Sequence, residues 1–336
     1  NYGNLIKETK QLGVQENLLP NTSFERWTSN LPNQWSKISS GGTVSAETGY
    51  KVNGSRSVKL VATGNTSATV AQLRTTNFIP VDGNSKYNVS WYVKTQNVGV
   101  TNGGATVNVY WYDGNQAFIS SALNVAKTIG TTDWMRKGAR INAPGGAKFT
   151  KVELAVNDTG TAWFDNVQME SGSTINQYNF VSNSSFEMDQ DGLPGPDFWN
   201  MGTLQSGDGV VTGVSHTGSK SLLVNGAANT NKNFNYDVII SGTAGEPIYF
   251  SGWSKAQGVS ATGGYYGLLL YLKYSDGTEA WIPAPFTKST HDWEFKEQIY
   301  IPEKDYDFFG VYGKLENQTG KVWFDDITVR FAAAAN

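Results

Sequence analysis

Alternation rather than helical spacing organises this chain. In ATVNVYWYD, Val107, Val109 and Trp111 fall on one side and Asn108, Tyr110 and Tyr112 on the other, the period of two of a half-buried β-strand. Further on, Leu270, Leu272 and Tyr274 stand opposite Tyr271 and Lys273. The apolar stretches are short, and clusters such as VDGNS and NVGVTNGG separate them, as turns separate antiparallel strands. No segment carries the spacing of a long amphipathic helix. Many strands with one apolar face each predict two packed sheets.

The pattern is written twice. NTSFE at Asn21 to Glu25 returns as NSSFE at Asn183 to Glu187, and WFDNV at Trp163 to Val167 returns as WFDDI at Trp323 to Ile327. Between them GSRSVKL matches GSKSLLV, Asp133-Trp134 matches Asp292-Trp293, and the YDG ending at Gly114 matches the SDG ending at Gly277. The sequence therefore predicts an all-β protein of two tandem β-sandwich domains. Their bounds are a leading segment 1–15, a first sandwich 16–171, a linker 172–177, a second sandwich 178–331 and a tail 332–336, where the Ala332 to Ala335 run is set aside. The abrupt opening NYGNLIKETKQLG reads as the interior of something larger.

Composition narrows the partners. Net charge is −3 with no block of like charge, so the chain lacks the basic stripe that a nucleic acid or an anionic membrane selects. No apolar run reaches the roughly 20 residues of a membrane-spanning helix. Cysteine is absent, which removes disulfides and thiolate metal sites and leaves packing and a hard cation as sources of stability.

The carboxylates beside the repeated aromatics point to such a cation. Phe24, Phe186, Trp163 and Trp323 are explained as core plugs. Glu25 and Glu187 open their domains, and Asp165 and Asp325 lie on the last strands. If first and last strands pair, each Glu meets an Asp, and two close carboxylates need a cation or a shared proton. Calcium, completed by backbone carbonyls and a hydroxyl, satisfies them; the alternative is that the carboxylates accept hydrogen bonds from turn amides or lie exposed.

These stretches, with Trp35 and Trp199, the GSxS motif, the YNVSWYVK strand and the DW pair, resemble the CenC-type carbohydrate-binding modules of families 4 and 9. The resemblance covers about residues 16–171 and 178–331. It implies jelly-roll sandwiches with one structural calcium each, binding glycan chains on a concave sheet face without catalysis. The leading Tyr2, Gly3, Asn4, Leu5, Thr9 and Gly13 resemble the YD (RHS) repeat, although its Asp is missing. Together the two resemblances imply a secreted, wall-associated or cell-surface repeat protein of Gram-positive type, with the rest of that protein as the chain's covalent partner.

A sugar site needs a flat aromatic and a few polar groups on an exposed sheet face. YNVSWYVK aligns without a gap with IYFSGWSK, so Tyr92 matches Trp253 on the side of Ser90 and Ser251. The expected carbohydrate contacts are Tyr92, Tyr110 and Gln72 in the first copy and Trp253, Tyr271 and Tyr236 in the second. Ordinary cross-strand packing is the alternative for each. Tyr110 aligns with Lys273 and Asn108 with Tyr271, so the two sites are not expected to be equal. Trp134 and Trp293, repeated in both copies, are assigned to packing, and the unrepeated Trp27, Trp111 and Trp281 give no positional argument. His216 and His291 have no partner at equivalent places, which argues against an enzyme. Polysaccharide capture is the leading expectation; a spacer or protein-interaction pair that has kept the fold without the ligand is the alternative.

Overall fold

The computed structural model describes residues 17–101, 103–172, 177–189 and 195–332. The YD-like opening and most of the linker lie outside the described residues. The described residues divide into two compact units, one up to Tyr178 and one from Asn179 on. All named strand pairs are antiparallel and no helix occurs among the described residues.

Unit 1 contains β1 (Trp27–Thr28), β2 (Leu31–Pro32), β3 (Trp35–Lys37), β4 (Thr43–Glu47), β5 (Ser57–Ala62), β6 (Ala71–Thr75), β7 (Ile79–Pro80), β8 (Lys86–Val98), β9 (Ala105–Tyr112), β10 (Phe118–Thr128), β11 (Gly130–Asn142), β12 (Phe149–Val156) and β13 (Gly160–Ser171). One sheet runs β11-β8-β13-β5-β4; the other runs β10-β9-β12-β6-β3, with β7 on β12. Their inner faces carry Val89, Trp91, Val93, Leu60 and Phe164 against Val107, Val109, Leu154 and Leu73, all essentially without exposure. Burial of this much aliphatic and aromatic surface, at roughly 25 cal/mol per Å², is what holds the layers together. Tyr87 and Trp111, one from each sheet, meet at 6.0 Å.

Unit 2 contains β14 (Gly209–Thr212), β15 (Lys220–Val238), β16 (Ile248–Gln257), β17 (Tyr265–Tyr274), β18 (Glu279–Pro285), β19 (His291–Tyr300) and β20 (Tyr306–Phe331). Here two strands serve both layers. The end of β20 pairs with β16 and the start of β15, while its beginning pairs with β17 and the end of β15. The change of partner falls where Asn317 (φ 48°) and Gly320 (φ 89°) take left-handed conformations and let the strand turn the corner. The layers close on one another through Phe234 and Phe324 at 5.1 Å and Tyr266 and Phe324 at 6.0 Å.

Candidate functional site

The repeated motifs occupy matching places. Asn21 Nδ2 donates to the carbonyls of Arg26 and Asn33, and Asn183 Nδ2 to those of Met188 and Asp197, each fixing the loop that ends in Glu25 or Glu187. Phe24 and Phe186 sit fully buried in left-handed conformation against Trp35 and Trp199. The loop before β5 then wraps the carboxylates. Glu25 accepts from the Ser55 and Arg56 amides at 3.1 Å and from the Ser55 hydroxyl at 2.5 Å. Asp165 accepts from Val52 (2.8 Å), Asn53 (3.3 Å) and Asn166 (2.8 Å). Unit 2 repeats this, with Glu187 bound by Ser219 and Lys220 and Asp325 by His216, Thr217 and Asp326.

The turn amides thus account for the hydrogen bonds, but not for the charge. Burial pushes the Asp165 carboxyl well above the ordinary aspartate range; the three amides pull the other way, and the neighbouring Glu25 charge raises it further. Burial also raises Glu25 against its hydrogen bonds, and burial followed by the Asp326 charge raises Asp325. Among the described residues no group of three or more His, Asp and Glu side chains is placed to hold a metal ion. A cation here would take the Glu–Asp pair and complete its shell from backbone oxygens and uncharged side chains; the buried Asn166 Oδ1, which lacks a hydrogen-bond partner, is an oxygen of that kind. The donor set is all oxygen and fits a hard divalent ion.

The expected sugar contacts do not converge. Tyr92 lies on β8, opposite Asp165 and Arg136 in register, on the sheet that carries the carboxylate clamp. Gln72 and Tyr110 lie on the other sheet. Trp253 likewise pairs in register with Asp325, and its ring stacks on His216 at 3.8 Å and 15°, while His216 Nδ1 lies 2.6 Å from Asp326 Oδ2. Trp253 is therefore part of the clamp region and separate from Tyr271. Tyr236 is corrected outright. It pairs in register with the fully buried Val311, is 8% exposed and packs edge-on against Trp199 at 5.5 Å, so it belongs to the core. Its neighbours Asn235 and Asp237 take the outer face, where Asn235 Nδ2 donates to Asp237 Oδ1 at 2.9 Å.

Two outer faces remain, with different chemistry. On β12 of unit 1, Glu153 has no exposure, yet its side chain is on the outer face, ringed by donors: Arg74 Nε at 2.9 Å, Asn108 Nδ2 at 2.8 Å, the Tyr110 hydroxyl at 3.1 Å and Gln72 Nε2 at 3.4 Å. The Arg74 guanidinium lies 3.9 Å from the centre of the Tyr110 ring, and burial together with the Glu153 charge pushes the Tyr110 phenol up to about 12. Neither Arg74 nor Glu153 was expected from the sequence, although a Glu inside the apolar run KVELAV was the available signal.

On unit 2 the corresponding layer presents rings. Tyr271 meets Trp281 at 4.6 Å, Phe308 at 5.7 Å and Tyr312 at 6.0 Å, and Trp281 meets Tyr312 at 5.0 Å. Trp281 is 47% exposed, whereas Tyr271, on the same outer face, is covered by its neighbours and 8% exposed. The Tyr271 hydroxyl donates to Glu279 Oε1 at 3.1 Å, and Lys273 Nζ reaches the same oxygen at 3.2 Å. Burial first and then Asp237 push the Tyr312 phenol up to about 12. Both histidines are engaged, His291 through a 2.6 Å contact between Nδ1 and the Asp292 carbonyl.

No family model matches the chain. Among curated proteins it is similar to the tRNA nuclease WapA of Bacillus subtilis (strain 168), 27% identical over 343 residues that take in 97% of this chain and 14% of that protein. It is also similar to the tRNA3(Ser)-specific nuclease WapA of Bacillus spizizenii, at 26% identity and the same coverage. The chain spans about 14% of the length of these relatives. Among solved structures, the CBM22-1–CBM22-2 tandem of Paenibacillus barcinonensis Xyn10C matches 95% of this chain and 98% of that one, at 16% identity and a TM-score of 0.34. A family 16 carbohydrate-binding module matches 45% of this chain and 99% of that one, at 17% identity and a TM-score of 0.35. At such scores neither likeness carries an argument about ligand. The tandem sandwich stands on strand order and register.

Proposed function

We propose that the chain is a non-catalytic polysaccharide-binding stretch of a longer, secreted, wall-associated or cell-surface protein. The observation that carries this reading is the outer ring cluster Tyr271, Trp281, Phe308 and Tyr312 of unit 2, flanked by Asn235, Asp237 and Glu279. Rings and hydroxyl-reading groups on one sheet face are what a pyranose chain requires. In this reading each unit holds one structural calcium at Glu25–Asp165 or Glu187–Asp325, away from the ligand. The relatives' nuclease names belong to proteins about seven times longer, and the nuclease chemistry is assigned to other parts of such a protein.

A second reading, the spacer, is favoured for unit 1 by the Glu153 network, which consumes its own polar groups. Co-sedimentation of the chain with insoluble peptidoglycan, cellulose and xylan in calcium separates the two. Pelleting with one polymer supports binding; a chain that stays in the supernatant with all of them leaves the spacer reading for both units.

A further inference from the structure

We infer that unit 1 carries an open sheet edge at β10 and that its occupant is β10 of a second copy, the two strands pairing antiparallel about Ser121. This goes beyond the binding reading above and does not depend on it.

Topology leaves the edge free. β10 pairs with β9 on one side and, among the described residues, with no strand on the other. An edge of this kind presents unpaired amides and carbonyls, and proteins ordinarily blunt it with charge, proline or a bulge. β10 contains no proline and a single charge, Lys127 near its end. Phe118 and Leu123 stand out from it, 59% and 55% exposed. The matching edge of unit 2 is guarded. There β18 lies on β17 as β10 lies on β9, and it places Glu279, Pro283 and Pro285 in register with Lys273, Leu269 and Gly267. Proline has no amide hydrogen to offer a new neighbour.

Spacing selects the occupant. Irregularities bend β10 on either side of Ser120–Ala122, and those three residues keep a regular register against β9. Ser120 and Ala122 pair with the buried Trp111 and Val109 and so take the inner face. Phe118 pairs with Tyr112 and Ser121 with Tyr110, on the outer face, and Leu123 follows Ser121 there by alternation. The outer row of β10 is therefore Phe118, Ser121, Leu123, with the small residue in the middle. A two-fold axis through Ser121 sets Phe118 of each copy against Leu123 of the other, an aromatic–aliphatic cross-strand pair made twice. An axis through Phe118 or Leu123 pairs that residue with itself and leaves the other in water. The same patch serves both chains, so the contact closes at two copies instead of growing into a fibre.

The test uses the absence of native cysteine. In the paired state two Ser121→Cys chains bring their Cα atoms to about 4.5–5.5 Å, which a disulfide spans. Two Leu123→Cys chains stay four positions out of register, about 13 Å apart along the strand, and cannot bridge. Expected under brief mild oxidation are covalent dimers of Ser121→Cys, none of Leu123→Cys alone, and mixed dimers when Leu123→Cys meets Phe118→Cys. Sedimentation equilibrium of the unmodified chain should show monomer and dimer with nothing larger. Leu123→Lys, at an exposed position that leaves the melting profile intact, should weaken the dimer about tenfold or more, because pairing would bury its charge. Ile299→Lys, exposed on unit 2, should leave it unchanged. A parent monomeric up to ~1 mM overturns the inference and leaves the edge to a strand of another protein. A dimer that survives Leu123→Lys, or equal cross-linking of Leu123→Cys and Ser121→Cys, overturns it as well and places the contact elsewhere.

Discussion

Removing the Arg74 guanidinium is the sharpest probe of unit 1, because the carboxylate it neutralises has no exposure. In Arg74→Ala, Glu153 keeps Asn108, Tyr110 and Gln72 as donors but loses the cation whose Nη2 lies 2.5 Å away. Breaking a buried pair from one side costs about 3–5 kcal/mol. The Arg74 side chain is 20% exposed, so water softens the loss, and the lower end, about 3 kcal/mol, is expected. Loss of the guanidinium–ring contact adds about 0.5–1 kcal/mol. In a domain of roughly 150–250 residues each kcal/mol moves the midpoint by about 2–4 °C, so the first unit's transition should fall by about 7–16 °C. Unit 2, unaltered, is the internal reference. Replacing both partners, in Arg74→Met/Glu153→Met, removes the stranded charge and should recover most of the loss. Calorimetry and urea titration of these three proteins and of the single variants Arg74→Met and Glu153→Met give the cycle. An Arg74→Ala cost below about 1 kcal/mol, or a double variant as unstable as the single, would refute the view that this pair closes the unit 1 face.

Calcium added to the chelated chain should raise both unfolding transitions, by about 2.7 kcal/mol once the free ion exceeds its dissociation constant a hundredfold; unmoved transitions reject the metal. Burial raises the folded-state pKa of Asp165 and Asp325, so the folded chain holds those protons more tightly than the unfolded chain. Their burial therefore does no harm below the unfolded value of 3.8 and destabilises progressively as pH rises toward the folded values. In chelator, Asp165→Asn should gain on the parent between pH 4 and 8 and lose the calcium response of unit 1; a constant difference across that range counts against it. Gly54→Ala and Gly218→Ala, at φ 68° and 60°, place a methyl 2.2 Å and 2.4 Å from Oε1 of Glu25 and Glu187. Each should cost about 1–3 kcal/mol and blunt the calcium response of its own unit, read from the same melts.

Alternation carried the sandwich legibly, because one buried face per strand forces a period of two. The duplication singled out Glu25, Asp165, Glu187 and Asp325, and each accepts hydrogen bonds from a loop of amides, the alternative named beside calcium. What alternation cannot say is which sheet a strand joins. β8 and β9 are consecutive and yet belong to opposite sheets, and β16 and β17 pair with opposite ends of β20 within one sheet, so Tyr92 parts from Tyr110 and Trp253 from Tyr271. Tyr236 failed for a different reason. A one-residue slip in a loose alignment exchanges inner for outer face, and Asp237 was the outward position. Trp281 gave no positional argument because it is not repeated, and its exposure on the ring face comes from the pairing of β17 with β18.

The two units also differ in how tension along the backbone would reach their layers. In unit 1, β12 ends at Val156 and β13 begins at Gly160, so a short loop lies between the sheets and one can be sheared while the other holds. In unit 2, β20 runs from Tyr306 to Phe331 as one strand at the centre of both layers. A pull on its end loads the rungs to β16 and β15 first and, through the same backbone, those to β17. Unit 2 should rupture as one mechanical element, and the face bearing Trp281 would keep its shape up to that force.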